Sequence, residues 1–107
     1  MSDCLFCKIG SGQIPSKVVM QDDEVLAFDD INPQAPVHVL VIPKRHVVAL
    51  NDAEAGDRAF LGRLLEAATL VARKKGIAES GYRVVANQGR DGGQTVFHLH
   101  LHVLGGR

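Results

Sequence analysis

Apolar and polar positions alternate, cluster and then recur at helical spacing along this chain, and each pattern predicts an element. Val18 to Gln21 and Val25 to Asp29 are short runs rich in aliphatic residues joined at Asp22-Asp23, which predicts two strands and a turn. Asn32-Pro33-Gln34-Ala35-Pro36 is a rigid connection, and the dense apolar run Val37-His38-Val39-Leu40-Val41-Ile42 then predicts a central strand stopped by Pro43. From about Asp52 to Lys75 the period becomes helical. Phe60, Leu61, Leu64, Leu65, Ala68 and Val71 recur at helical spacing, and Gly76 is a suitable stop. Tyr82 to Ala86 predicts another strand, and the glycine-rich stretch Gly89 to Gly93 a turn.

The last segment, His98-Leu99-His100-Leu101-His102-Val103-Leu104, alternates histidine with aliphatic residues. That period fits a strand, where successive side chains point to opposite faces. The three imidazoles then share one face with neighbours about 7 Å apart, while Leu99, Leu101 and Val103 bury the other. A helix would scatter positions i, i+2 and i+4 around its axis. Strands on both sides of one main helix predict an antiparallel α+β fold, a single domain over residues 1–107.

Composition narrows the partners. A chain of 107 residues can bury a real core, yet is small enough that a second subunit would help. Lys plus Arg and Asp plus Glu both number 12, so long-range steering of a polyanion is not expected. Nucleic acid is disfavoured on the same ground, and any phosphate must be held by local donors. The opening Met1-Ser2-Asp3-Cys4 lacks a basic and long apolar leader, and no apolar run has the length of a membrane span. Two cysteines without a secretion signal point to a reducing cytoplasm.

Three of the five histidines fall on this one segment. Buried structural imidazoles would each need hydrogen-bond partners. Alternate strand positions can also chelate a metal. Catalysis is the third reading, because imidazole near neutrality can be nucleophile, base or acid. The preceding Gly92-Gly93-Gln94-Thr95 favours it. Glycines let backbone N–H groups approach an anion and Thr95 adds a hydroxyl, although a glycine pair also makes an ordinary turn.

These residues resemble the histidine triad family of nucleotide hydrolases and transferases. The family signature is His-φ-His-φ-His-φ-φ, with φ apolar, and His98 through Leu104 match it in full. Asp30 to Pro36, Val41-Ile42-Pro43-Lys44 and Gly92-Gly93-Gln94-Thr95 are similar to its purine-nucleoside phosphoramidase branch. The resemblance implies an α+β subunit that pairs through its helix and a strand into a homodimer with one continuous sheet. It implies that His100 attacks the α-phosphorus of a purine nucleoside 5′-phosphoramidate. A nucleotidyl-histidine forms, the amine leaves and water releases the monophosphate, with no cofactor required for catalysis.

By the same resemblance His102 contacts the phosphate or leaving group, and His38 orients His100 and helps move protons. Thr95 stands where the branch commonly has serine, Asn87 matches a phosphate-contacting side chain, and Gly93 and Gln94 belong to the same nucleotide loop. Asp30 is expected on the ribose hydroxyls, with Leu5, Phe6, Ile9, Phe28 and Ile31 around a purine of the AMP or GMP type. Read without the resemblance, those apolar residues are core.

Cys4 and Cys7 are either free thiols or half of a zinc site, because structural zinc needs four ligands. A redox motif lacks its βαβ context. Family members with this cysteine pair can bind zinc through a histidine after the Pro-Lys segment and the first triad histidine. The positions here are His46 and His98. Many relatives lack the cysteines and work without metal. The sequence closes on Gly105-Gly106-Arg107, where relatives often carry an aromatic tail, which leaves leaving-group selectivity open. Two rival functions stand beside the phosphoramidase: a metal-dependent phosphohydrolase using the histidine cluster, and a purine-nucleotide-binding interaction module with negligible turnover.

Overall fold

The structure is a computed structural model, and it describes residues 4–52 and 57–107. Its frame is a five-stranded sheet with every neighbouring pair antiparallel, in the order β1-β2-β3-β5-β4. The strands are β1 (Val18–Gln21), β2 (Val25–Asp29), β3 (Val37–Pro43), β4 (Tyr82–Ala86) and β5 (Leu101–Gly105). Helix α1 spans Leu5–Gly10 and α2 spans Arg58–Lys74. The expected antiparallel α+β fold is the one observed.

Strand alternation sorts the core into two layers. Val25, Ala27, Val39, Val41, Leu99, Leu101 and Val103 point to one face, where α2 covers them with Leu64, Ala67, Ala68, Val71 and Ala72. Leu26, Phe28, Leu40 and Ile42 point to the other face and meet Phe6 of α1. The histidines lie on this second face, so the chemistry sits opposite the helix that stabilises the sheet. Among the described residues no helix is long and apolar enough to cross a membrane.

The β1–β2 turn is tied by Asp22, whose carboxylate accepts the N–H groups of Glu24 (2.8 Å) and Val25 (2.9 Å). Those two bonds, with the Arg63 guanidinium of α2 beside them, hold the Asp22 carboxyl down to about 2. The Arg63–Asp22 pair straps α2 to the hairpin, and Glu66 of the same helix braces Arg63 at 2.9 Å.

The helix is described from Arg58, and 53–56 of the expected range lie outside the described residues. Two differences from the sequence reading have physical reasons. Helix α1 carries no periodic signal because it has only six residues; Cys4 caps it by accepting the Cys7 N–H on sulfur at 3.4 Å. Regular strand begins at Leu101, not His98. The pairing of β5 ends there on both sides, at Val41 and Ala86, and the Leu99 N–H instead donates to the Val47 carbonyl at 2.6 Å. His98 and His100 therefore stand on the lead-in to the strand, bound to the loop after β3.

Gly105 ends β5 against Ile77. A Cβ there would fall 2.6 Å from the Ile77 Cδ1 and 3.3 Å from its Cβ and Cγ2. Gly105→Ala is predicted to destabilise the fold by about 1–3 kcal/mol, as overpacking does. Ile77→Val, which removes the nearest atom, should make the double variant more stable than the two single losses added together. Urea denaturation of the four proteins checks this, and strict additivity would refute the clash.

Candidate active site

His100 is buried and its hydrogen bonds fix its orientation. Its Nδ1 lies 2.8 Å from the His98 carbonyl, and only an N–H can bond to that oxygen. The proton is therefore on Nδ1 and Nε2 keeps its lone pair. Burial pushes the imidazole pKa down, which favours this neutral form. The Phe6 ring meets the His100 ring edge-on, with centroids 5.1 Å apart, and His102 lies at 5.0 Å on centroids.

His102 is half-buried and its pKa is pushed down to about 4, first by desolvation and then by His100 and His38. Its Nδ1 is 2.9 Å from the Nε2 of His38 on β3. The sequence reading placed His38 on His100; in the structure its partner is His102. Gln34 donates its backbone N–H to the other His38 nitrogen at 3.0 Å. Asp30, at the end of β2, approaches His38 Nε2 at 3.4 Å, and its second oxygen accepts the Asn32 N–H at 2.9 Å.

The five expected base-lining residues divide. Phe6 and Phe28 are core, in edge contact at 5.7 Å between centroids. Ile9 is half-buried and packs against that cluster, while Leu5 and Ile31 are exposed.

In the glycine-rich loop the outcome for Gln94 differs from the expected ligand contact. Its side chain is buried, accepting the Gly89 N–H at 2.9 Å and donating to the carbonyls of Val48 (2.7 Å) and Val96 (3.1 Å). The amide is spent on shaping the loop. Gly92 belongs to that shape, because a Cβ there would sit 2.4 Å from the Gln88 carbonyl oxygen. Gly93 and Thr95 remain exposed, and Asn87 is half-buried just after β4.

A second cluster adjoins the first. The sulfurs of Cys4 and Cys7 and one nitrogen each of His46 and His98 all lie within 4.8 Å of one another. Cys4 Sγ is 3.3 Å and Cys7 Sγ 3.5 Å from His98 Nδ1, and Cys7 Sγ is 3.2 Å from His46 Nδ1. A tetrahedral zinc with bonds of about 2.3 Å to sulfur and about 2.0 Å to nitrogen holds such atoms roughly 3.5 Å apart. His98 donates its Nε2–H to the Pro43 carbonyl at 2.7 Å, which turns the Nδ1 lone pair toward the thiols. Burial, and the adjacent Cys4, push the Cys7 thiol pKa up, a shift that a bound cation reverses. The four residues fit a zinc ion.

Sequence reasoning missed Gln34, Pro43, Val47 and Val48, which act through backbone atoms that residue type does not advertise. The prolines flanking Gln34 are the one signal that this loop is held rigidly.

Comparison with known proteins agrees with this geometry. A model of the HIT domain matches residues 11–107. Purine nucleoside phosphoramidase from Escherichia coli (strain K12) is 49% identical over 105 residues, covering 98% of this chain and 88% of that protein. The crystal structure of a HIT family hydrolase from Legionella pneumophila Philadelphia 1 superposes with a TM-score of 0.95 at 50% identity, over 98% of this chain and 94% of the other. A histidine triad protein from Clostridium difficile gives a TM-score of 0.97 at 46% identity, over 100% and 93% respectively. With its triad, its fold and nearly its whole length matched, this chain belongs to the histidine triad (HIT) family.

Proposed function

We propose that the protein hydrolyses the phosphorus–nitrogen bond of purine nucleoside 5′-phosphoramidates through a nucleotidyl-histidine intermediate. The observation that carries this reading is the His100 imidazole, whose Nδ1–H is held by the His98 carbonyl while Nε2 keeps its lone pair. Nε2 forms a bond to the α-phosphorus as the P–N bond breaks, and the departing nitrogen takes up one proton. Water then attacks phosphorus, breaks the P–N bond to His100 and gives that proton back, so the net change is one water consumed. His102, with the exposed Thr95, Gly93 and half-buried Asn87, supports the phosphate oxygens. Asp30 receives the ribose hydroxyls, and Leu5, Ile9 and Ile31 cover the base above Phe6 and Phe28.

Zinc at Cys4, Cys7, His46 and His98 supplies no chemistry to the reaction in this reading; it ties α1 to the triad segment. Thiols kept free for it suit a reducing compartment.

The subunit pairs with a copy of itself. Strand β4 is an outer edge with Val84 exposed, and beside it Leu65 of α2 is 54% exposed. Leu50, Leu61, Leu64, Ala86 and Leu101 complete an apolar depression there. Antiparallel pairing of β4 with its own copy would cover both the edge and this surface.

His100→Ala is expected to lower amine release from adenosine 5′-phosphoramidate by roughly 10³-fold or more, with wild-type turnover persisting in a strong chelator. Equal rates in both proteins would remove His100 as nucleophile; chelator-sensitive turnover restored by metal would favour the metal-dependent rival. No turnover in either protein would favour the binding module.

Metal analysis of protein purified without added zinc should find about one zinc per chain, and Cys7→Ser should lose it and unfold at lower temperature. A metal-free, fully folded protein would refute the zinc site. In sedimentation the wild type is expected as a dimer and Leu65→Asp as a folded monomer. A monomeric wild type at micromolar concentration would end the pairing proposal.

A further inference from the structure

We propose that Gln34 is a positioning residue whose backbone N–H sets the protonation pattern of the His38–His102 pair. The inference deepens the phosphoramidase reading and rests on it for its catalytic meaning; the hydrogen-bond argument does not.

An imidazole nitrogen can accept a hydrogen bond only where it carries no proton. Gln34 donates its N–H to His38 Nδ1 at 3.0 Å, so that nitrogen is bare and a neutral His38 holds its proton on Nε2. His38 Nε2 faces His102 Nδ1 at 2.9 Å, a distance that requires one proton between them and excludes two. His102 Nδ1 is therefore bare as well, and the His102 proton sits on Nε2, directed away from His38. Asp30, 3.4 Å from the same His38 Nε2, is a second acceptor for that N–H.

His100 and His102 are thus opposite tautomers two residues apart. One presents a lone pair at Nε2 because the His98 carbonyl takes its Nδ1–H. The other presents an N–H at Nε2 because Gln34, through His38, denies it a proton on Nδ1. A phosphoryl group between them meets a nucleophile on one side and a hydrogen-bond donor on the other.

The same N–H has a second effect. It occupies the one His38 nitrogen that a proton would need if Nε2 were to bind anything but hydrogen. Asp30, His38 and His102 also place three donor atoms within 4.8 Å, a grouping that could hold a cation. A cation on His38 Nε2 needs the proton on Nδ1, where the Gln34 N–H stands. The loop that delivers this N–H is itself pinned. The Gln34 side chain donates to the Asn32 carbonyl at 3.1 Å, Asn32 donates to Asp30, and Arg107 donates to the Gln34 carbonyl.

Long-range ¹H–¹⁵N correlation spectra of histidine-labelled protein, recorded without substrate at neutral pH, read which nitrogen carries each proton. The expected pattern is Nε2–H for His38 and His102 and Nδ1–H for His100. Gln34→Ala, which keeps the N–H, should retain it. Gln34→Pro, which lacks the N–H, should lose the His38 and His102 pattern. Wild type with a proton on His38 Nδ1, or a folded Gln34→Pro with the wild-type pattern, would overturn the proposal. Should the proline variant not fold, the wild-type spectrum decides alone. Because no substrate is present, the result stands apart from whether the protein cleaves phosphoramidates.

Discussion

His98 is the residue on which the second face of the sheet depends. It is fully buried, and three of its groups are engaged in different places. Nε2–H bonds the end of β3 at the Pro43 carbonyl, Nδ1 faces the thiols that open α1, and the backbone carbonyl holds the His100 proton. A shift of this one ring would disturb a strand end, a helix start and the orientation of His100 together. Burial lowers its pKa, so it is held neutral, as a group donating at one nitrogen and accepting at the other must be.

The division between the two faces explains how so polar a cluster is tolerated. All the large contacts with α2 lie on the opposite face, where the aliphatic members of the same triad segment, Leu99, Leu101 and Val103, are buried. Stability and chemistry therefore draw on alternate residues of one stretch of chain. Phe6 is the exception, a core side chain that also touches the His98 and His100 rings edge-on. It makes the small helix α1 a wall of the site as well as a cover for Leu26, Phe28 and Ile42.

Much of this was legible in the sequence where side-chain type decides the outcome. The strands Val18–Gln21, Val25–Asp29 and Tyr82–Ala86 have the expected bounds because alternation and turn residues act locally. The four-residue thiol and imidazole cluster comes together as the family resemblance implied. Legibility failed where backbone groups decide. The triad is not a strand at His98 because Val47, a loop residue, takes the Leu99 N–H. Gln94 resembled a ligand residue by its place in a glycine-rich loop, yet its amide closes that loop from within. His38 was expected on His100, and which of two neighbouring imidazoles it reaches depends on register: Leu40 pairs with His102, which sets His38 diagonal to it.

Hydrogen-bond accounting then isolates two open atoms. Both nitrogens of His98 and both of His38 have partners, and His100 and His102 each engage Nδ1. Two imidazole nitrogens of this group have no partner among the described residues, His100 Nε2 and His102 Nε2. Among the described residues no side-chain nitrogen or oxygen that is fully shielded from solvent lacks a partner, so both of these nitrogens reach the surface. An interior that satisfies the fully shielded side-chain polar atoms of the described residues, yet leaves these two imidazole nitrogens open with their rings 5.0 Å apart on centroids, presents them to solvent together. One is a lone pair and the other a proton, a pairing suited to forming a bond at phosphorus while steadying the charge on its oxygens.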